Sequence, residues 1–532
     1  MSKKNGCYVN IDGDVLGYVY HGVKGDMSNL REKLDLYLEG YKGYGISDLL
    51  FTVFCQNSIV PSKTVDWLYD NYDKTEEDGK PVNYKGETHV RACYMAYNEM
   101  KDPIGYMIEE SKKAGFNTWL SYRMNDCHWS HAETAPGRAD QLYYHAKYNN
   151  GFIGDHVAGR YFGECFDYTS EHIRRVMLEY IKETVYRYHP YGIELDFLRE
   201  PFCFDYEKTP DACRIMTEFI SDIKKMLAEY ARSYERAPVK ILARVVPHIE
   251  DNRIFGLDTE EWIKRGLVDV IVPSSRWNST DSDMPISDWV ALAEGTNVEI
   301  SAGLEFYLWL PIKVNDETVR GLASQYFDSG AERIYLYNYY REAVALPDMT
   351  EWSKAHPDFR LSNENGDDTD DAHIWNTEKL AAIDFDKTKI WAACENPEAA
   401  RNGARRHVLT YLENCLVPRG GKYFDPLPIK VEGTAQFKKL TGKLLGEEAL
   451  LYLGVKQGVK APRVTVDGNE ATLLGATDDA YFANPETDGS IPERFNGLDY
   501  YAYKPTVDEE DYRKLTFEGD ASIEYLEFKV NA

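Results

Sequence analysis

Two acidic side chains alternate with apolar ones in the segment 192–197, which reads Gly-Ile-Glu-Leu-Asp-Phe. Successive side chains of a β-strand point to opposite faces, so Glu194 and Asp196 share one face and the apolar residues share the other. Two carboxylates buried close together cannot both ionise freely, so at least one pKa is raised. Because a general acid at neutral pH needs such a raised pKa, we predict a catalytic role for Asp196 and Glu194. A buried structural or substrate-binding role is the alternative, above all for Glu194.

A further acidic position follows the apolar segment 298–303, which leads through Leu304 to Glu305. Hydrolysis of a glycosidic bond uses two carboxyl groups, about 5–5.5 Å apart in retaining enzymes and about 6.5–9.5 Å apart in inverting ones. We predict that Glu305 is the catalytic partner of Asp196, with Glu200 as a further candidate. The alternative for Glu305 is a loop position in solvent.

Polar and aromatic residues also follow the other apolar segments of the first 340 residues. Polar side chains of these types hydrogen-bond sugar hydroxyls, and aromatic rings stack on the apolar faces of sugars. Turn formation explains Asp12 and Asp14 equally well, and Arg123 and Arg244 are alternatively the partners of a buried acidic layer. The residues predicted to bind substrate are Asp12, Asp14, Arg123, Asn125, Asp126, His128, Arg199, Arg244, His248, Arg276, Trp277, Tyr307, Tyr337 and Asn338.

A metal site is the rival interpretation of the segment 121–131. Asp126, His128 and His131 are plausible ligands, but their spacing is permissive and no HExxH pattern accompanies it. We therefore predict no metal and no cofactor. A metal-dependent sugar isomerase or lyase that uses Asp126, His128 and Glu194 is kept as an alternative.

Eight short apolar segments must position these residues. They alternate with amphipathic helical stretches such as 170–184, where apolar residues recur at helical spacing. Eight such repeats over about 340 residues are typical of a (β/α)₈ barrel, whose site lies at the carboxyl ends of the strands. No glycine-rich turn follows the first segment, which argues against an open doubly wound sheet. The segments are 7–11, 49–54, 118–122, 192–197, 240–246, 268–272, 298–303 and 333–337.

The chain changes character after the barrel. Residues 348–371 are polar and acidic, and strand-like alternation with Asp-Gly and Gly-Asn turns begins near residue 426. We predict a catalytic barrel over 1–350, a linker and helical connection over 351–425, and a C-terminal antiparallel β-sandwich over 426–532.

Composition excludes several classes of function. The chain of 532 residues has a net charge of −27, which disfavours nucleic acid and anionic membranes as partners. Its 9 cysteines form no CxxC pair, which is typical of reduced thiols. With no apolar signal region at the N-terminus, we expect a cytoplasmic protein with a small carbohydrate substrate; a homo-oligomer is compatible with the sequence. The 40 Tyr, 21 Phe and 10 Trp agree with sugar binding.

The segments 121–128, 191–199 and 256–269 carry a resemblance to a known group. With them the chain resembles glycosyl-hydrolase-like TIM-barrel proteins, described as family-10-like, from gut and environmental bacteria. The resemblance spans about two thirds of the chain and implies a glycosidase without fixing its substrate. If the layout is similar to that of the large retaining clan, it implies Glu305 as the nucleophile and Glu200 or Asp196 as the acid/base.

The sequence departs from two related patterns. The retaining clan has Asn-Glu at the end of strand four, and this chain does not. Chitinases place their catalytic glutamate two residues after the last aspartate of that strand, where Leu198 stands here. We predict a glycoside hydrolase that acts on a small oligosaccharide or glycoside, with exo action favoured by the expected compartment. A non-catalytic carbohydrate-binding barrel is the second alternative.

Overall fold

A computed structural model describes most of the chain. The described residues are 5–13, 15–22, 27–65, 88–127, 141–159, 162–206, 208–276, 280–309, 312–339, 387–410, 426–444, 447–483 and 495–531. Most of the predicted linker lies outside them.

The first part of the chain is a closed barrel of eight parallel strands, which confirms the predicted (β/α)₈ fold. The barrel order is β1-β2-β3-β4-β5-β6-β7-β10, and β10 pairs with β1 to close it. β8 and β9 form a short antiparallel hairpin after β7. The strands are β1 Cys7–Ile11, β2 Ile46–Cys55, β3 Asn117–Arg123, β4 Gly192–Asp196, β5 Lys240–Val245, β6 Val270–Pro273, β7 Glu299–Leu304, β8 Tyr307–Trp309, β9 Ile312–Lys313 and β10 Arg333–Leu336.

Helices surround the barrel, and the longer ones bury an apolar side. The segment 170–184, predicted to be helical, is part of one of them: Ser170 caps its amino end by accepting a hydrogen bond from the backbone of Ile173. The helices are α1 Val15–Gly22, α2 Leu30–Glu39, α3 Thr88–Met100, α4 Pro103–Lys113, α5 Gln141–Tyr148, α6 Asp155–Ala158, α7 Glu171–Tyr188, α8 Ala212–Ser233, α9 Ile249–Ile254, α10 Thr259–Lys264, α11 Ile286–Leu292, α12 Asp316–Asp328 and α13 Pro397–Arg401. None of the helices in the described residues is long and apolar enough to cross a membrane.

The remaining strands form the predicted antiparallel β-domain. Its longest strand, β18, pairs with β12 and β14 along its first part and with β11 and β13 along its last part. The strand β11 belongs to this sheet although it lies before residue 426. The strands are β11 Arg405–Val408, β12 Ile429–Leu440, β13 Ala449–Lys456, β14 Arg463–Val466, β15 Asn469–Glu470, β16 Thr472–Ala476, β17 Leu498–Lys504 and β18 Tyr512–Val530.

A buried ionic cluster fills the amino end of the barrel. The Arg333 guanidinium donates to Asp48 Oδ2 at 2.6 Å and to Glu299 Oε1 at 2.8 Å, and lies 3.7 Å over the Tyr8 ring. Trp119 Nε1 donates to Asp48 Oδ1, and the second oxygen of Glu299 accepts from Arg333. All four carboxylate oxygens therefore have donors, so we call this group the lower cluster and assign it a structural role.

We predict that Arg333→Met lowers the free energy of unfolding by about 3–5 kcal/mol, because it leaves two buried carboxylates without their cation. Urea denaturation followed by circular dichroism measures this change. Arg214→Ala is the control, since that arginine pairs only at the surface of α8, and it should cost under about 1 kcal/mol. A loss below about 1 kcal/mol in Arg333→Met would contradict the structural role.

Candidate active site

The inward face of β4 carries the two acids that the sequence places there. Glu194 and Asp196 point into the barrel, whereas Ile193 and Leu195 pack in the layer between strands and helices. Glu194 is one step deeper than Asp196. The two acids therefore belong to different layers of the barrel interior, and their surroundings differ.

One guanidinium joins the acids of β4 and β7. Arg244 Nη1 donates to Asp196 Oδ1 at 3.0 Å, and Nη2 donates to Glu305 Oε1 at 2.7 Å. The guanidinium lies 3.7 Å over the ring of Tyr337. Because the two nitrogens share a rigid planar fork, the two bonded carboxylate oxygens lie within about 8 Å of each other. We call Arg244, Asp196, Glu305 and Tyr337 the upper cluster.

Small neighbours hold Arg244 in place. Ser274 Oγ accepts from Arg244 Nε at 3.3 Å, and the Ser275 carbonyl accepts from Nη2 at 3.1 Å. Gly303 on β7 makes room for Ser274, because a Cβ atom there would lie 2.4 Å from the Ser274 side chain. Groups at the carboxyl ends of β4, β6 and β7 therefore fix the position and orientation of the guanidinium.

The upper cluster differs from the lower cluster in its bonding. Asp196 Oδ2, Glu305 Oε2 and the Tyr337 hydroxyl are buried, and each lacks a hydrogen-bond partner among the described residues. The first oxygen of Asp196 accepts from the backbone N–H groups of Leu198 and Arg199 as well as from Arg244, which fixes the carboxylate plane. Both clusters consist of one arginine that bonds two acids. Of the two, only the upper cluster has carboxylate oxygens without a hydrogen-bond partner in the described structure.

Burial changes the acid–base properties of Glu305. Removal from water raises the pKa of its carboxyl group from 4.5 to about 7, and the positive charges of Arg244 and Arg199 oppose the rise. The negative charge of Asp196 adds to it. Near neutral pH a large share of Glu305 is therefore protonated, as a general acid requires.

Glu194 lies below this pair in a closed environment. Its two oxygens accept from the Tyr335 hydroxyl at 2.6 Å and from Asn10 Nδ2 at 3.1 Å. Burial and, to a smaller extent, the negative charge of Asp196 raise the pKa of Glu194 to about 7. Because both oxygens are bonded to protein groups, the geometry favours the structural alternative for Glu194.

A chain of ion pairs surrounds the β3 side of the mouth. Arg123 donates to Asp126 at 2.8 Å and to Asp12 at 3.0 Å, and Arg199 lies 3.6 Å from Asp126. Burial acts to raise the pKa of Asp12, but the charges of Arg123 and Arg199 hold it below its ordinary value. These four predicted residues are therefore brought together, and Arg123 pairs with the acids that follow β1 and β3 rather than with Glu194.

Glu200 has a cation of its own. Arg276 Nη2 donates to Glu200 Oε2 at 2.9 Å, and Arg276 Nε donates to the carbonyl of Arg199 at 3.3 Å. Burial raises the pKa of Glu200, and the charges of Arg276 and Arg199 oppose the rise. Glu200 therefore belongs to a separate ion pair at the mouth and does not bond to Arg244.

The other predicted residues divide into three groups. Asn125 bonds the backbone of Phe166 and Phe202, so its amide anchors two loops. His248, Tyr307 and Asn338 are partly exposed around the mouth, where His248 lies 3.6 Å from Asp281. Asp14, His128 and Trp277 lie outside the described residues, as does His131. Within the described part of the chain, no three His, Cys, Asp or Glu side chains are arranged to hold a metal ion.

Two positions in the barrel interior escaped the sequence analysis. Asn10 Oδ1 on β1 and the Thr52 hydroxyl on β2 are buried, with no partner in the described structure, as is Arg123 Nε on β3. Thr52 lies in an otherwise apolar run, and Asn10 lies two residues before the Asp-Gly-Asp segment 12–14, whose acids are the more obvious candidates. The alternation of β1 and β2 is the one signal that places both residues on the inward face.

Comparison with known proteins gives only distant similarities. No family model matches the chain, and no curated protein matches it. Similar solved structures include an α-amylase from Anoxybacillus, at 11% identity over 98% of this chain and 99% of the other, with a TM-score of 0.35. Others are the PgaB glycoside hydrolase domain of Bordetella bronchiseptica, at 12% identity over 66% and 98% with a TM-score of 0.39, and α-L-fucosidase isoenzyme 1 of Paenibacillus thiaminolyticus, at 12% over 97% and 96% with a TM-score of 0.32. These neighbours are glycoside hydrolases, but likeness at this level carries no argument about the reaction, and nothing in it supports the family-10-like group specifically.

The raised pKa of Glu305 predicts a pH-dependent stability. A carboxyl group whose pKa is higher in the folded state contributes stability below its unfolded pKa, and this contribution is lost as pH rises. We expect the free energy of unfolding to fall between about pH 4.5 and 7, and Glu305→Gln to remove about 2–3 kcal/mol of that fall. Urea denaturation at pH 5, 6, 7 and 8 measures it. The exposed Glu218→Gln is the control; equal slopes in all three proteins would contradict the assignment.

Proposed function

We propose that the protein is a glycoside hydrolase whose reacting carboxyl groups are Asp196 and Glu305. The observation that supports this most is the bonding of the upper cluster, where Arg244 holds one oxygen of each acid and leaves the other oxygen of each without a partner. Two carboxyl groups held by one cation at the carboxyl ends of β4 and β7, each with an oxygen left for a ligand, supply the pair that cleavage of a glycosidic bond needs.

The two acids differ in role. Glu305, whose pKa is about 7, is the proton donor: its proton passes to the glycosidic oxygen as the bond from that oxygen to the anomeric carbon breaks. Asp196 is the carboxylate that either attacks the anomeric carbon or takes a proton from an attacking water. This reverses the assignment implied by the resemblance to the retaining clan. The upper limit of about 8 Å between the bonded oxygens is compatible with the retaining separation and with the shorter part of the inverting range.

The interior of the barrel favours a small terminal sugar as the bound group. Unpartnered buried polar atoms come from β1, β2, β3, β4 and the segments after β7 and β10, and they include both donors and acceptors. A ring of sugar hydroxyls offers matching acceptors and donors. The hydrogen-bonded layer of Glu194, Asn10 and Tyr335 lies beneath these atoms, which favours the approach of a chain end over the middle of a polymer. We therefore propose exo action on a small oligosaccharide or glycoside.

Hydrolysis of a panel of aryl glycosides tests the proposal. We expect Asp196→Asn to lower kcat/KM at least about 1000-fold for every active substrate, because it removes the charged carboxylate. Glu305→Gln should lose as much with a poor leaving group but keep most activity with 2,4-dinitrophenyl glycosides, whose leaving group needs no proton. Asp48→Asn and Glu299→Gln are matched controls from the lower cluster. They should change stability and leave kcat of the folded enzyme unchanged.

Two outcomes would overturn the assignment. Wild-type activity in both Asp196→Asn and Glu305→Gln would show that these acids are not the reacting groups. Binding of a monosaccharide by the wild type without hydrolysis of any glycoside would favour a carbohydrate-binding barrel instead.

The pH dependence of catalysis follows from the same carboxyl group. For a substrate with a poor leaving group, we expect kcat/KM to fall as pH rises through about 7, since Glu305 loses the proton that it must donate. With a 2,4-dinitrophenyl glycoside this basic limb should disappear. Initial rates between pH 5 and 9 measure both profiles; a basic limb of equal size with both leaving groups would contradict proton donation by Glu305.

A further inference from the structure

The segment 280–283, after β6, lies between the mouth of the barrel and the C-terminal sheet. Thr280 and Ser282 are fully buried, and Asp281 is nearly so. Its backbone and side chains bond groups on both sides, so it connects the active-site strands to the β-domain.

On the barrel side, the segment bonds the backbone of residues 305–308 and the side chain of Ser275. The Thr280 hydroxyl is 2.9 Å from the carbonyl of Tyr307 and 3.4 Å from that of Glu305, and Thr280 N–H donates to the carbonyl of Leu308. Asp281 N–H donates to Ser275 Oγ at 2.7 Å. The backbone that carries Glu305 is therefore fixed against Thr280.

The same segment also acts on Arg244 through Ser275. The Ser275 carbonyl accepts from Arg244 Nη2, which is the nitrogen that bonds Glu305. A displacement of Asp281 would therefore move Ser275, and with it the acceptor that orients the guanidinium. The positions of Glu305 and of Arg244 therefore both depend on the segment 280–283.

On the other side, Thr410 and Lys439 hold the segment. Thr410 Oγ1 donates to the Thr280 carbonyl at 2.5 Å, and the Thr410 backbone exchanges hydrogen bonds with Ser282 through its N–H and carbonyl. Lys439 Nζ donates to Asp283 Oδ1 at 2.6 Å and lies 3.3 Å from the Ser282 carbonyl. Lys439 lies on β12 and Thr410 comes two residues after the end of β11, so both are held by strands of the C-terminal sheet.

We propose that Thr410 and Lys439 are positioning residues for the proposed reaction, which makes the C-terminal sheet a working part of the active site. They act through the segment 280–283, which sets the place of Glu305 relative to Arg244. The inference rests on the proposed function for its effect on catalysis, but the positioning of Glu305 is a property of the protein without substrate.

Thr410→Val tests this, because it removes the hydroxyl and keeps the shape of the side chain. We expect kcat to fall about 10-fold to 100-fold with little change in KM, as a small misplacement of a reacting group produces. The basic limb of kcat/KM should move up by about half a pH unit or more, since Glu305 loses part of its interaction with Arg244. Thr410→Ser, which keeps the hydroxyl, should restore both.

Thr441→Val is the matched control. Thr441 is also buried near the end of β12, but its hydroxyl donates to the carbonyl of Gly442 inside its own domain. We expect this variant to keep the wild-type kcat and pH profile. Equal effects of Thr410→Val and Thr441→Val, or none in Thr410→Val, would overturn the proposal.

A measurement without substrate separates this proposal from the proposed function. The pH dependence of unfolding, compared between proteins with and without Glu305→Gln, gives the pH at which Glu305 titrates. We expect Glu305 to titrate at a pH about half a unit or more higher in the Thr410→Val protein than in the protein that keeps Thr410. If the wild type hydrolyses no glycoside, the proposed function fails and this midpoint alone decides the positioning, which an unchanged value would overturn.

Discussion

The bond between one guanidinium and two buried carboxylates organises the upper half of the barrel. Arg244 lies where burying Asp196 and Glu305 without a cation would cost several kcal/mol, and its planar fork fixes both acids at once. The charge also moderates the rise in the pKa of Glu305, which would be larger in its absence. The guanidinium is held in one position by the order of the strands and by Ser274 and Ser275 after β6. Gly303 leaves the room that Ser274 needs.

The lower cluster shows that this barrel uses the same chemistry for two purposes. Arg333 lies over a tyrosine ring and bonds two acids, as Arg244 does. In the lower cluster every carboxylate oxygen has a donor, so the group stabilises the closed end of the barrel. In the upper cluster one oxygen of each acid has no partner in the described structure. Completeness of hydrogen bonding, rather than the presence of buried charge, distinguishes a structural cluster from a candidate site.

Much of the barrel could be predicted, because its determinants are local. The alternation of residues 193–197 fixes which side chains face inward, and the helix from Glu171 to Tyr188 follows from its apolar stripe and its serine cap. The bonding within the site could not be predicted in the same way. Nothing local distinguishes Glu194, with both oxygens bonded, from Asp196, with one free. Thr52 is hidden in an apolar run, and the contact of Thr410 with Thr280 joins positions 130 residues apart, which no periodicity records.

The pairing of β11 with β18 limits when the C-terminal sheet can form during synthesis of the chain. Residues 405–408 of β11 find their partners only at 527–530, so β11 stays unpaired on that edge while more than a hundred further residues leave the ribosome. Closing so long a loop is entropically costly and slow. Most barrel strands pair with the strand next to them in the chain, and the closing pair of β10 with β1 uses strands that are both made before β11. A nascent chain therefore passes through a stage in which all eight barrel strands have been made and β11, which precedes Thr410, still lacks its partner β18. β18, the last strand to be made, therefore completes the contacts that position the carboxyl group of Glu305, which lies more than two hundred residues earlier in the chain.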